Sequence, residues 1–299
     1  MAAEYQQPDA RVADYDPYVL DERIIDPSRS KPLMIRGPRP ARLDPGGYFV
    51  CLGAAQTFGR FVAQPFPDLL SQRLGLPCLN ISHGGAGPMF FAQDDGALMG
   101  WLNNARFVVV QAMSGRSESN SLFESQGVGS YVRRSDGVRI GCDAAFEALL
   151  RERPRREVAR IVAETRANWV ASCRKLIGGI RTPKIFFWFS VRRPHYREGY
   201  GSLGALFGAY PQLVNAPMAA AARAMADHGV ECVSRRGSPH PLLDRTTGEP
   251  VTVVDPWTVN PWTENGYYPS PEMHDDAARA LEPACRVFAG LTETAPCVT

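Results

Sequence analysis

The sequence predicts an α/β protein: a three-layer, doubly wound sandwich built on a parallel five-stranded sheet. Three observations carry this. Short apolar runs of buried-strand type recur at 48–53, 77–82, 105–113, 184–191 and 230–235. Segments with helical periodicity lie between them. Strands alternating with helices are parallel and covered on both faces, and right-handed crossovers then give a doubly wound sheet.

Each element has its own signal. Residues 1–46 are rich in Pro, Arg and Asp without periodicity, and read as an arm that wraps a single domain spanning 47–299. "YFVCLG" is the first strand. "PFPDLLSQRLGL" is a short helix, with Leu69, Leu70 and Leu74 at helical spacing and Gly75 as its stop. "PCLNIS" is the second strand and "PMFFAQDDGALMGWLNN" one helix. "ARFVVVQAM" is the strongest strand. Residues 114–143, rich in Ser, Gly and Arg, are expected as a loop with a small hairpin. The segment 155–180 is a long amphipathic helix, with Val158, Ile161, Val162, Thr165, Trp169 and Leu176 on one side. "KIFFWFSV" is a strand and 199–212 a glycine-rich loop. The segment 216–229 is a helix, "VECVSR" the fifth strand, and 271–290 the closing helix, with His274 expected on its outer side.

Composition excludes several classes. The chain has 299 residues, 44% of them hydrophobic and 21% charged, which suits a globular protein. A formal charge of +2 is too small for a nucleic-acid binder. No apolar run is long enough to span a bilayer, and the polar first 30 residues do not read as a signal peptide. Seven widely spaced cysteines without a CxxC fit a reducing cytoplasm better than a disulfide or zinc scaffold. There is no Walker A motif and no metal-ligand spacing, so no cofactor or metal is expected. Oligomeric state is not legible.

Ligands of doubly wound sheets bind at the carboxyl ends of the strands. That edge gathers 53–59, 82–88, 114–120, 191–197, 235–240 and the segment before the last helix. These loops resemble the blocks of the SGNH (GDSL-like) hydrolase superfamily. "GAAQTFG" stands where that family has Gly-Asp-Ser-x-Thr-x-Gly: Gly53, Thr57 and Gly59 match, while Ala54 replaces the Asp and Ala55 the nucleophilic Ser. Gln56 lies between Ala55 and Thr57. The turn "HGGAGP" resembles the second block, in which Gly84 or Gly85 would supply an oxyanion N–H. "MSGRSESN" resembles the third block, with Gly115 matched, Ser117 at the Asn position and Asn120 nearby. "NGYYPSPEMH" resembles the last: Asn265 for Asp, Tyr268 for His, Pro269 kept and His274 further on. "LGAAQTFGRF" and "MSGRS" also resemble segments of a group of bacterial proteins.

The resemblance implies the fold but not the chemistry. All three triad positions differ, and alanine cannot attack an acyl group. Three functions remain open. A transferase acting on a carbohydrate or other polar small molecule would use Arg60, Arg116, Arg192, Arg193, Arg197, Arg235 or Arg236 to hold an anionic group, with His83 as base. An esterase or O-acyltransferase would use a relocated nucleophile, Ser114 or Ser117. A binding protein would keep the pocket without the chemistry. Against each stands a plainer reading: solvated arginines, an outlying histidine, and serines that satisfy loop backbone.

Overall fold

The structure, a computed structural model, describes residues 9–93, 96–254 and 260–291. Five parallel strands form the central sheet: β1 (Phe49–Gly53), β2 (Cys78–Ser82), β3 (Val108–Gln111), β4 (Lys184–Ser190) and β5 (His228–Val233). Their spatial order is β5-β4-β3-β1-β2. The expected three-layer sandwich is therefore the one observed.

Alternation within the strands sorts the two cores. Val50 and Leu52 of β1 face one side with Val108, Val110, Phe186 and Trp188. Phe49 and Cys51 face the other with Val109, Ile185, Phe187 and Phe189. The helices Pro88–Ala92, α2 (Ala97–Asn104), α4 (Arg155–Gly179) and α5 (Ala216–Arg223) cover the first face. α1 (Phe66–Leu74) and α6 (Pro271–Ala289) cover the second. α3 (Cys142–Glu152) packs with the start of α4 in a separate cluster around Phe146 and Val158.

The helix boundaries follow local chemistry. α1 has Pro67 in its first turn and closes on Gly75 at φ +62°. α6 starts at Ser270, whose hydroxyl accepts the Met273 N–H, and closes on Gly290 at φ +72°.

Several expectations need correction. The segment 88–104 is two helices, Pro88–Ala92 and α2. The region 114–143 holds a three-stranded antiparallel sheet, Phe123–Ser125, Ser130–Arg133 and Arg139–Gly141. α3 was not expected at all, because its apolar face is short. The glycine-rich loop contains a helical turn, Leu203–Phe207. His274 is not on an outer turn: it is fully buried against Phe66 and Phe189.

Residues 9–46 lie against the sheet edge and the first loop. Leu20, Ile24, Leu33 and Ile35 enter the first core, and Arg36 forms an isolated antiparallel bridge with Asn80 of β2.

Candidate functional site

In this strand order the switch point lies between β1 and β3, where ligands of open α/β sheets bind. β1 ends at Gly53 and runs into the one-turn helix Ala55–Phe58, closed by Gly59 at φ +76°. β3 ends at Gln111, and its carboxamide spans the gap. Gln111 Oε1 accepts from Thr57 Oγ1 at 2.7 Å and from the Ala54 N–H at 3.2 Å. A Cβ on Gly53 would meet Thr57 Oγ1 at 2.2 Å and Gln111 Oε1 at 2.5 Å, so this contact requires glycine. Gly53 and Thr57 thus build the floor, and both are buried. Ala55 is 6% exposed.

A neutral polar network continues from Gln111. Its Nε2 donates to Tyr210 Oη at 3.0 Å, and Tyr210 Oη donates to the Ala112 carbonyl at 3.1 Å. Burial raises the Tyr210 phenol well above its ordinary value, so it is protonated. Gln212 Nε2 donates to Tyr267 Oη at 2.6 Å, and the Gln212 carbonyl accepts the Gly115 N–H at 2.9 Å. Three buried polar atoms on the loops of this sheet edge have no hydrogen-bond partner: Gln56 Oε1, Gln212 Oε1 and Arg116 Nε. Buried polar atoms are normally paired, so these three retain unused hydrogen-bonding capacity.

Four of the seven expected arginines are engaged with other protein groups. Arg60 Nε pairs with Asp9 at 3.0 Å and its Nη1 donates to Tyr268 Oη at 3.0 Å. Arg116 Nη1 pairs with Asp143. Burial disfavours the Arg116 charge, but Asp143 outweighs it and holds the guanidinium firmly protonated. Arg192 places all five of its N–H groups on the carbonyls of Arg193, Pro194, Ala209, Pro211 and Val214. Arg236 pairs with Asp275 and Asp276. Arg193, Arg197 and Arg235 are exposed. The Arg192 guanidinium is wholly spent on backbone carbonyls, which removes it as a ligand contact, while Arg116 keeps its Nε unpaired.

The hydroxyls are also engaged. Ser114 Oγ accepts the Arg116 N–H at 3.3 Å, and Ser117 Oγ donates to the Gly85 carbonyl at 2.9 Å. Neither is hydrogen-bonded to His83. Gly84 and Gly85 sit in a half-buried turn. Asn120 is an internal turn residue: Oδ1 accepts the N–H groups of Leu122 and Phe123, and Nδ2 donates to Thr165. Tyr268 is held by Arg60 and by Asn265 Oδ1, which accepts its N–H at 2.9 Å. His274 Nδ1 accepts the Phe66 N–H at 3.1 Å. Burial, with Arg36 and His240 adding to it, lowers its pKa to about 3, so the ring is neutral and structural.

His83 stacks on Phe90 and sets Nε2 3.4 Å from Asp26 of the arm, while its buried Nδ1 has no partner. Burial opposes the Asp26 charge, but hydrogen bonds from His83 and Ser28 prevail and hold its pKa at about 2. Among the described residues, no group of three or more His, Cys, Asp or Glu is placed to hold a metal ion, and no helix is long and apolar enough to cross a membrane. The six described cysteines are free, and Cys297 lies outside the described residues.

Glu118 escaped the sequence reading. It is 1% exposed, accepting from Ser172 Oγ at 2.7 Å and the Met89 N–H at 3.1 Å. Burial raises its pKa to about 7. The folded state therefore binds this proton more tightly than the unfolded chain. Its contribution is full below pH 4.5 and is lost as pH rises through 7. Glu118→Gln is expected to raise stability above pH 7 by on the order of 3 kcal/mol or less, and to leave it little changed at pH 4. Urea unfolding of both proteins across that range measures the difference. Equal stabilities at pH 8 would exclude the effect.

Fold and site together define a doubly wound α/β sandwich whose switch-point crevice carries neutral polar groups and an alanine at the head of its first loop. The chain belongs to the family described as a domain of unknown function, DUF6473, whose model matches residues 11–127 and 146–289. No curated protein matches it. Among solved structures it is similar to a carbohydrate acetylesterase family member from Sinorhizobium meliloti, with 15% identity, TM-score 0.43, and coverage of 82% of this chain and 100% of the other. It is also similar to a family 2 carbohydrate esterase with a carbohydrate-binding domain from Corynascus thermopiles (Myceliophthora fergusii), with 13% identity, TM-score 0.40, and coverage of 86% and 71%. A third is an active-site mutant of a family two carbohydrate esterase from Clostridium thermocellum, with 12% identity, TM-score 0.37, and coverage of 87% and 68%. The fold assignment stands on the sheet order and layers, not on these distant likenesses.

Proposed function

We propose that this protein binds a polyhydroxylated small molecule, a carbohydrate, in the switch-point crevice without forming an acyl-enzyme. The observation that carries this reading is the pair of buried carboxamide oxygens, Gln56 Oε1 and Gln212 Oε1, left without donors. Sugar hydroxyls are donors that would satisfy them and acceptors that would satisfy the unpaired Arg116 Nε, whereas an anion would satisfy Arg116 alone. Ala55 at the head of the first loop and the engaged hydroxyls of Ser114 and Ser117 support binding over acyl transfer.

Gln212→Ala tests it. Calorimetric titration with a panel of mono- and oligosaccharides, free and O-acetylated, is expected to give binding to the wild-type protein that falls by about tenfold in the variant. No acetate is expected to be released. Multiple-turnover release of acetate would overturn the noncatalytic reading, and absence of any saccharide binding would overturn the ligand class.

A second reading has one observation in its favour. The Asp26 contact orients His83, and the unpaired Nδ1 is available to take a proton. In a transferase, His83 would deprotonate an acceptor hydroxyl while a donor group is transferred. This reading requires product formation from an activated donor that disappears in His83→Ala.

A further inference from the structure

A second concavity opens beside the crevice. It measures about 270 Å³ and is lined by Pro261, Trp262, Thr263, Glu264, Gly266 and Tyr267. Ligand pockets of drug-sized molecules run to ~300–1,000 Å³, so this space suits one ring of a ligand rather than a whole one. Tyr267 joins the two places. Its ring lines the concavity, while its hydroxyl accepts from Gln212 of the crevice at 2.6 Å.

The aromatic lining is held in place from behind. Trp262 lies 5.6 Å from the Phe61 ring and 6.0 Å from Tyr268, with the Arg60 guanidinium 5.4 Å from its centroid. Tyr267 meets Tyr268 edge-on at 4.9 Å. Arg60 is itself fixed by Asp9 and Tyr268. Tyr267 nevertheless remains 49% exposed. Exposed rigid aromatics beside polar groups are suited to stack on an apolar ring face while hydroxyls are bonded at the rim. Glu264, exposed at that rim, offers an acceptor carboxylate.

We infer that the concavity walled by Trp262 and Tyr267 is a second sugar subsite, continuous with the crevice through the Gln212–Tyr267 hydrogen bond. The ligand is then at least a disaccharide, with one ring among the carboxamides and the next stacked on the aromatic wall. The inference rests on the carbohydrate reading above.

An array of mono-, di- and trisaccharides, probed with the wild-type protein, Trp262→Ala and Trp262→Phe, tests it. Di- and trisaccharides are expected to bind more tightly than their component monosaccharides. Trp262→Ala is expected to lose about tenfold in affinity for the longer sugars only, and Trp262→Phe to retain most of it. Far-ultraviolet circular dichroism identifies a variant that has failed to fold, and Tyr267→Ala, which leaves the Trp262 ring contacts in place but also removes the acceptor of Gln212, then takes its role, with a larger expected loss for the longer sugars than for monosaccharides. Wild-type binding of sugars without preference for length, unchanged in folded Trp262→Ala and Tyr267→Ala, would overturn the subsite and leave the crevice reading standing. Binding of no sugar at all would overturn both.

Discussion

Arg36→Met is expected to destabilise the protein by on the order of 4 kcal/mol, lowering the melting temperature by roughly 10 °C. Arg36 is 3% exposed. Its Nη1 donates to the carbonyls of Phe58 and Gly59 at 2.8 and 3.0 Å, and its Nη2 to those of Val62 and Ala63 at 2.9 and 3.0 Å. No carboxylate is paired with it among the described contacts, and burial lowers its pKa. The guanidinium thus serves the backbone, and it closes the segment that follows the first loop. Methionine matches the length of the stem but leaves four carbonyls without these donors. Lysine does not rescue it, because three tetrahedral N–H groups cannot reproduce a planar fork over four acceptors. Arg39→Ala, an exposed change three residues on, is the control and stays within about 0.5 kcal/mol. A melting temperature unchanged in Arg36→Met would show that the arm does not hold the first loop.

Arg192→Met is expected to cost on the order of 3 kcal/mol and to weaken ligand binding as well. The five carbonyls that this side chain holds belong to 193–194 and 209–214, the segments that flank Gln212. Burial lowers its pKa to about 10, so it remains charged at neutral pH. The Trp188 and Tyr196 rings lie 5.1 and 4.5 Å from its guanidinium carbon. Loss of the fork frees the loop that carries Tyr210 and Gln212. Hydrogen exchange is therefore expected to quicken over 206–215 while α6 stays protected. A binding arginine behaves differently: its loss weakens an anion and leaves stability and exchange alone. That second pattern would return Arg192 to the ligand.

The residues differ in how far their neighbours in sequence reveal their roles. The five strands and the long helix were legible because a buried strand is a continuous apolar run and a surface helix repeats every 3.6 residues. Trp169 and Ile161 stand on the buried side of α4 as their spacing requires. Ala55 was legible too, since residue type, spacing and the preceding strand coincide there. Gln111 left a trace: a polar residue inside the strongest apolar run of the chain. The arginines misled. Guanidinium groups in loops read as ligands for anions, and nothing local shows that carbonyls from other loops will surround Arg192 or that carboxylates will take Arg60, Arg116 and Arg236.

His274 illustrates the same limit from the other side. It falls near the start of an amphipathic helix, where polarity alone suggests the outer face, yet it accepts a backbone N–H from a residue 208 positions away. Glu118 is a charged residue in a polar loop until α4 closes over it and Ser172 supplies a hydrogen bond.

By itself the sequence determined the fold class, the order of the sheet strands along the chain, the loops gathered at the carboxyl edge of the sheet, and the alanine at the head of the first loop. These depend on local periodicity and on residue identity. Only the tertiary structure decided which polar side chains are free to meet a ligand. That depends on contacts such as Arg36 with Ala63, Arg192 with Val214 and Gln212 with Tyr267. A side chain's hydrogen-bonding capacity is finite, and its partners are chosen by the packing of distant segments rather than by the residues beside it.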